Sequence, residues 1–319
     1  WIIMQYNTII RYISSNVLII LALGGRNLGI LASRGEWIGF VDSDDVAAST
    51  MFEKMYQVAT TTDCDIVNIQ AASFENGGKR DQLDHPYVLW SPELLNLHNK
   101  PLTDADRNVL IVESPGAFWT KLFRRSFFLS HNVYFPLKIR WEDNALGSLL
   151  MNYVSKTAFL PEILYYYRQN PSSITHTVNY TSIKERIASE EYLLGEVLQR
   201  DLFDLCRPAL SYVFTLRYFL TTSWLVSSAT DVPNKTEVLC LLRRRLLDVF
   251  PDYNLNVFYR ARTSFITRLQ VVCFLHFPSI TSMGIRGVRL FLQLPIVQSH
   301  KIYLLRCKTA VLRLISCFC

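Results

Sequence analysis

The chain has 319 residues, half of them hydrophobic, which suits one large or two modest domains with real cores. Its seven cysteines are odd in number and scattered, with no CxxC pair and no matching histidine spacing, which speaks against a structural zinc site and for a reducing compartment. The net charge of +6 hides an uneven spread: from Val232 to the end there are 13 Lys+Arg against 3 acids (+10), leaving 20 against 24 (−4) for the rest.

Taken in order, the chain does not begin with Met and its opening has no signal-peptide pattern, so the numbering reads as starting inside a larger or damaged reading frame. Residues 1–23 hold one apolar run, Val17 to Leu23, that predicts a buried strand. Gly24-Gly25 predicts a turn, and Arg26 to Ser33 a short helix, with Leu28 and Leu31 at helical spacing and Gly35 at its stop. Trp37 to Val41 is apolar, β-favouring and too short for a helix, which predicts a second buried strand. Thr50 and Glu53 form a capping-box pair before a helix whose inner face is Phe52, Met55, Tyr56 and Ala59. Asp65 to Gln70 reads as a strand, Asn76-Gly77-Gly78 as a turn, and Lys79 to Arg107 as loops with a short helix opened by Ser91-Pro92.

An aromatic and basic segment spans Pro115 to Phe128. Beyond it, Trp141-Glu142-Asp143-Asn144 leads into Leu146, Leu149, Leu150 and Tyr153, the rhythm of an amphipathic helix. Leu164 to Arg168 predicts a strand and Pro171 to Thr177 a loop. From Ser182 the pattern is helical, with Ile183, Ile187, Leu194, Val197 and Leu198 on one face and a break at Pro208. Ala209 to Val226 raises the question of a membrane span, but Arg217 in its middle and its bare length favour a buried core helix. The tail from Phe265, interrupted by Arg268, Arg286, Arg289, Pro295 and Lys301, has two readings: a basic amphipathic surface on anionic lipid, or helices packed on the body with solvated charges.

The chemistry concentrates where the Trp37 to Val41 run ends in Asp42, Asp44 and Asp45. Carboxylates packed this tightly repel one another, and at the end of a buried strand they need a cation or donors to neutralise them. A hard divalent metal is the usual answer, and ligands of open α/β sheets collect beyond the carboxyl ends of strands. A polar turn with one Asp capping the next helix is the plain alternative. Glu142 and Asp143 fall in the first turn of their helix, where the macrodipole favours negative charge.

The ordered set Arg26-Asn27-Leu28-Gly29-Ile30, the stretch Gly35 to Asp45, Phe118 to Arg124, Phe135-Pro136, Trp141 to Asn144 and Tyr165-Tyr166-Tyr167-Arg168 resembles glycosyltransferase family 2, nearest to bacterial members that build surface polysaccharides. The resemblance covers Gly24 to Thr177 and implies an α/β fold: a Rossmann-like GT-A nucleotide-sugar domain over 1–180, with 1–23 atypical, and a mostly α-helical, basic region over 181–319. It implies an inverting transfer of sugar from a nucleotide-diphosphate donor, a UDP-sugar above all, to a glycan or lipid-linked hydroxyl acceptor, with Mn²⁺ or Mg²⁺ and no nucleic acid. Carried over by position, Asp44 and Asp42 match the metal-binding Asp-x-Asp element, Asp44 as ligand and Asp42 nearer the ribose or sugar. Arg26, Asn27 and Asp45 fall beside the donor, and Asp143, preceded by Glu142, matches the catalytic base. His176 would close over the diphosphate or complete the metal shell, and Trp119, Lys121 and Arg168 would line the acceptor or diphosphate pocket. The expected place is the cytoplasm, with peripheral contact at the inner membrane face.

The opening departs from the family pattern. Residues 1–23 contain no Asp or Glu, and the strand-plus-acidic-turn that helps to bind base and ribose is not found there. The opening strands are therefore expected to be lost through truncation or a shifted frame, leaving a donor pocket that lacks part of its wall and, with it, activity. Two rivals stand beside the transferase. Asp-x-Asp after an apolar strand also opens haloacid-dehalogenase-like phosphatases, although that family continues with Gly-Thr and this chain with Asp45-Val46. The other is a non-catalytic membrane-surface partner using the basic tail.

Overall fold

The structure is a computed structural model that describes residues 2–5, 8–14, 17–21, 26–75, 90–113, 116–136, 139, 141–169 and 178–284. The turn at Asn76-Gly77-Gly78, the loop holding His176 and the tail beyond residue 284 lie outside the described residues. The chain divides into two compact units: Trp1–His176 with Glu191–Cys206, and Thr177–Glu190 with Arg207–Cys319.

The first unit is built on an eight-stranded mixed sheet in the order β1-β2-β3-β4-β7-β6-β8-β5. Its strands are β1 (Ile2–Gln5), β2 (Thr8–Ser14), β3 (Val17–Leu21), β4 (Trp37–Val41), β5 (Val46–Ala47), β6 (Ile66–Glu75), β7 (Lys121–Arg124) and β8 (Thr157–Gln169). Pairing is parallel for β3 with β4 and for β6 with β8; β7 runs antiparallel between β4 and β6. The expected strand at Val17 is therefore present, and the residues before it, which carry little periodicity, form two more.

The alternation of β4 explains its position at the centre of the sheet. Successive side chains of a strand point to opposite faces. Trp37 joins the core that Met51, Phe52, Met55 and Ala59 of α2 (Met51–Thr62) build with Val67 and Ile69 of β6. Gly39 lies on that face too, where a Cβ would stand 2.2 Å from a Phe52 ring carbon, so the strand can approach α2 only with glycine there. Phe40, on the other face, meets Phe118, Phe123, Phe128 and Phe135 with ring centroids 5.5–6.1 Å apart.

Several local expectations change in the folded chain. In α1 (Arg26–Ala32) the buried residues are Gly29 and Ile30, while Leu28 and Leu31 are exposed, because the helix is seated by Asn27, Ile30 and Ser33. Thr50 does stand at the N-cap of α2, but its side chain makes no capping bond. Ser91 does cap α3 (Pro92–Leu95), accepting from the Leu94 amide. The next helix, α4 (Asp104–Glu113), and the strand β7 go unpredicted, the latter because two apolar residues out of four carry no readable period. α5 (Arg125–His131) follows at once, and α6 (Glu142–Met151) forms as expected with Leu146, Leu149 and Leu150 fully buried. β8 is longer than Leu164 to Arg168 and passes Pro161 by a register shift against β6, the kind of irregularity that lets a proline sit in a sheet.

Beyond β8 the described chain is helical, and α7 and α8 each contribute residues to both units. α7 (Tyr180–Gln199) buries Ile183, Leu193, Leu194 and Val197 but exposes Leu198. The break expected at Pro208 comes earlier, at Asp201 with φ 57°, and Pro208 lies inside α8 (Phe203–Val213). α8 continues as a π-helical stretch, Phe214–Thr221, then α9 (Thr222–Ser228), α10 (Lys235–Val249), α11 (Val257–Arg262) and α12 (Phe265–His276). The Ala209 to Val226 run is thus split among three segments, and among the described residues no helix is long and apolar enough to cross a membrane.

Candidate active site

Two elements far apart in sequence converge on Arg26 at the start of α1. One guanidinium nitrogen donates to Asp42 Oδ1 at 3.0 Å, just beyond β4, and another to Glu142 Oε1 at 2.8 Å, in the first turn of α6. All three are largely shielded from water, so these charge-assisted bonds are worth more than surface pairs. Asn27 is used differently: its amide donates to the Phe135 carbonyl and accepts from the Phe135 amide, each at 2.8 Å, which ties α1 to the segment before α6. Both ends of the Asn27 side chain are taken up by backbone rather than turned toward a nucleotide.

The acidic turn is fastened from β8. Asp45 N donates to Asp42 O, and the short β5 pairs Val46 with Tyr166. The Tyr165 hydroxyl accepts from the Asp42 amide at 3.1 Å and donates to Asp45 Oδ2 at 2.7 Å. Arg168 N donates to Asp45 Oδ1, and its Nε to the Asp44 carbonyl, while its guanidinium lies over the Phe74 ring. Asp45 and Arg168, expected at the donor, thus hold the turn in place. Trp119, expected to line the acceptor or diphosphate pocket, stacks on Tyr165 and Tyr167 at 4.5 and 5.7 Å.

What remains unbound is the chemistry. The Asp44 side chain is exposed and has no hydrogen-bond donor or counter-charge among the described residues. Asp42 feels the negative charges of both Asp143 and Asp44, so the three carboxylates share one neighbourhood. Burial pushes the Asp42 carboxyl above its ordinary value; Arg26 pulls it back and the two acids add to the rise. Glu142 is raised for the same reason, burial first, with Arg26 opposing. Burial also pushes Asp45 up to about 6 against its Arg168 and Tyr165 bonds, and pushes the Tyr165 hydroxyl up. Asp143 Oδ1 accepts from the Asn144 amide at 2.9 Å. Two non-glycine residues with left-handed backbone stand beside it, Ala117 at φ 53° and Trp141 at φ 58°. Such geometry costs of order 1–3 kcal/mol each and clusters at working sites.

Among the described residues no three His, Cys, Asp or Glu side chains converge as a protein-only metal cage. The donor set fits a different kind of site. A hard cation that keeps its waters and rides on substrate phosphates needs only one or two protein carboxylates, and Asp44 with Asp42 beside it offers those. His176 lies outside the described residues.

Residues 6–129 match the family described as Glycosyl transferase family 2. Over this segment the chain is similar to family 2 glycosyltransferases. An uncharacterized glycosyltransferase of Bacillus subtilis, EpsJ, is 31% identical over 169 residues, 52% of this chain and 47% of that protein. The succinoglycan biosynthesis protein ExoO of Rhizobium meliloti is 27% identical over 54% of this chain and 49% of its own length. The chain spans about half the length of the curated relatives it matches. Among solved structures, the S. aureus TarS fragment 1–349 in complex with UDP superposes with a TM-score of 0.53 at 15% identity, covering 81% of this chain and 70% of that one. That likeness fixes the fold as GT-A. Nothing in these matches supports the phosphatase reading of the family 2 triplet, and in the structure its would-be nucleophile, Asp42, is held by Arg26.

Sequence reasoning missed Tyr165, whose hydroxyl joins Asp42 to Asp45. The signal was available: a tyrosine buried within a strand needs a partner for its hydroxyl, and the acids of the turn were the polar groups at hand.

Proposed function

We propose that the chain transfers a sugar, with inversion, from a nucleotide-diphosphate donor to a hydroxyl acceptor in cell-surface polysaccharide assembly. The observation that carries this reading is the pairing of an uncommitted Asp44 with Asp143 around the Arg26-bound carboxylates. Asp44, with Asp42 beside it, would hold Mn²⁺ or Mg²⁺. Such an ion, when bound, supplies Lewis-acid stabilisation of charge on the departing diphosphate.

The remaining work falls to the protein. Arg26 holds Glu142 and so leaves Asp143 as the carboxylate of that pair able to take the acceptor proton, an effect typically worth about 10² to 10⁴ in rate. Attack from the face opposite the leaving diphosphate inverts the centre. Tyr165 and Arg168 fix the turn from which Asp44 projects. A UDP-sugar is the donor we favour, since UDP is what the TarS structure of the same fold contains. The acceptor is a glycan or a lipid-linked sugar. The transfer chemistry resides in residues 1–180, and the basic helical region 181–319 provides peripheral contact with the inner membrane face from the cytoplasm.

The test is calorimetric titration of the full chain with UDP, with and without Mn²⁺, repeated on Asp44→Ala. Tighter binding with metal in the wild type and loss of that gain in the variant are expected. Equal UDP affinity with and without metal in the wild type would remove Asp44 from its role.

A further inference from the structure

Lys121 takes no part in the chemistry above, yet it is among the most unusual cations of the first unit. Its side chain lies in the interior at the head of β7, 3% exposed. Its Nζ donates to the Gly116 carbonyl at 2.6 Å and makes a longer bond to the Ala117 carbonyl at 3.4 Å. Burial pulls the amine down to about 7, and the negative charge of Asp143 opposes that fall. An amine donates N–H to a carbonyl whether or not it carries the extra proton, so the tie does not depend on its charge.

The turn it binds is placed tightly. Ala117 holds a left-handed φ of 53°, and Thr120 N donates back to Ala117 O at 3.0 Å. On its far side the turn abuts α6: a Cβ on Gly116 would stand 2.7 Å from Asn144 Oδ1 and 3.6 Å from Asp143 Oδ2. The Gly116 backbone therefore forms a wall beside the Asp143 carboxylate, whose other oxygen accepts from Asn144 N. Lys121 stands behind that wall.

We propose that Lys121 is a positioning residue: by binding the Gly116–Ala117 turn from the interior it holds that turn against the first turn of α6 and sets where the Asp143 carboxylate stands. This rests on reading Asp143 as the proton acceptor. A base displaced by about 1 Å can cost on the order of 10²-fold in rate, so a residue that never touches substrate can control turnover.

The experiment is Lys121→Met in the full chain, read in two ways. Hydrogen exchange is followed in peptides spanning 116–120 and 142–147, and donor turnover is measured beside UDP affinity in Mn²⁺. Exchange in both peptides should rise about tenfold while the sheet strands are unchanged, as the loss of one buried hydrogen bond predicts. Turnover should fall about 10- to 100-fold with UDP affinity held within about twofold. Unchanged exchange at 142–147, or UDP affinity falling in step with turnover, would overturn the proposal. If the wild type itself turns over no donor, the reading of Asp143 as a base fails, while the exchange measurement still decides whether Lys121 places α6. Should Lys121→Met not fold, Gly116→Ala pushes on the same contact from the other side and is read by the same two measurements.

Discussion

Two of the arginines that bind carboxylates in this protein, Arg217 and Arg26, are surrounded differently, and the difference separates a working site from a structural one. In the helical unit, a terminal guanidinium nitrogen of Arg217 donates to one Glu190 oxygen at 3.1 Å and its Nε lies 3.0 Å from the other in an ion pair, with Glu190 only 4% exposed. Arg186 is the further charge there, feeling both Glu190 and Arg217, so this centre carries no surplus of acid. Arg217 lies in the π-helical stretch, whose widened turns are joined by Thr221 and Thr222 hydroxyls donating to carbonyls five residues back. In the sheet unit, Arg26 also binds two carboxylate groups, but they come from different elements, and Asp44 and Asp143 add negative charge to the same neighbourhood. A centre with no surplus of acid holds helices together; one with excess acid is set to receive a cation and a proton.

The sharpest way to test that contrast is to remove function without removing structure. Asp143→Asn keeps the size and the bond from Asn144 N but cannot accept a proton. Turnover should fall by about 10² to 10⁴, with UDP affinity in Mn²⁺ and the melting midpoint little changed. A variant that loses less than tenfold would place the proton acceptor elsewhere.

The reverse result is expected at the other centre. Glu190→Leu leaves Arg217 in the interior with its carboxylate gone, which for a buried pair broken on one side costs about 3–5 kcal/mol. Denaturation of the helical unit should shift by that order, while turnover per folded molecule stays near wild type. Loss of turnover in the molecules that remain folded would mean that Glu190 serves the chemistry as well as the packing.

The sequence makes the first of these centres partly readable and the second hardly at all. The strand Trp37 to Val41, the acids at its end and the helix opened by Glu142-Asp143 announce themselves through local pattern, because apolar period and an abrupt change to charge are properties of neighbouring residues. The bond from Arg26 to Glu142 joins residues 116 apart, and no window of sequence contains both. The same distance hid Tyr165 as the partner of Asp45, and it let Lys121 read as a pocket cation when its ammonium is turned inward to two carbonyls. Arg217 was visible only as an obstacle to a membrane span; its partner on α7 and the π-helical register that presents it belong to tertiary packing. Leu28 and Leu31 show the converse error, a correct helical spacing on the face that packing left outside.

The smallest effects come from the most conservative change, arginine to lysine, and they should still divide the two centres. A lysine carries one compact ammonium where arginine carries a fork, so it cannot serve two acceptors along separate directions. Arg26→Lys can keep Asp42 or Glu142 but not both, because the two are reached by different guanidinium nitrogens from different elements. A released Glu142 beside Asp143 should compete for the proton and loosen α6 relative to the acidic turn. Turnover is expected to drop about tenfold with little loss of stability, since both carboxylates retain some water. Arg217→Lys keeps the charge beside Glu190 and loses the guanidinium's contact with both carboxylate oxygens in a drier place. There the melting midpoint should fall by the equivalent of about 1–2 kcal/mol, with turnover unmoved. Parallel melting and turnover measurements on the two variants check both halves. If Arg26→Lys lowered stability more than Arg217→Lys, the first centre would be a structural clamp in its own right, and the excess of acid around it would need another explanation.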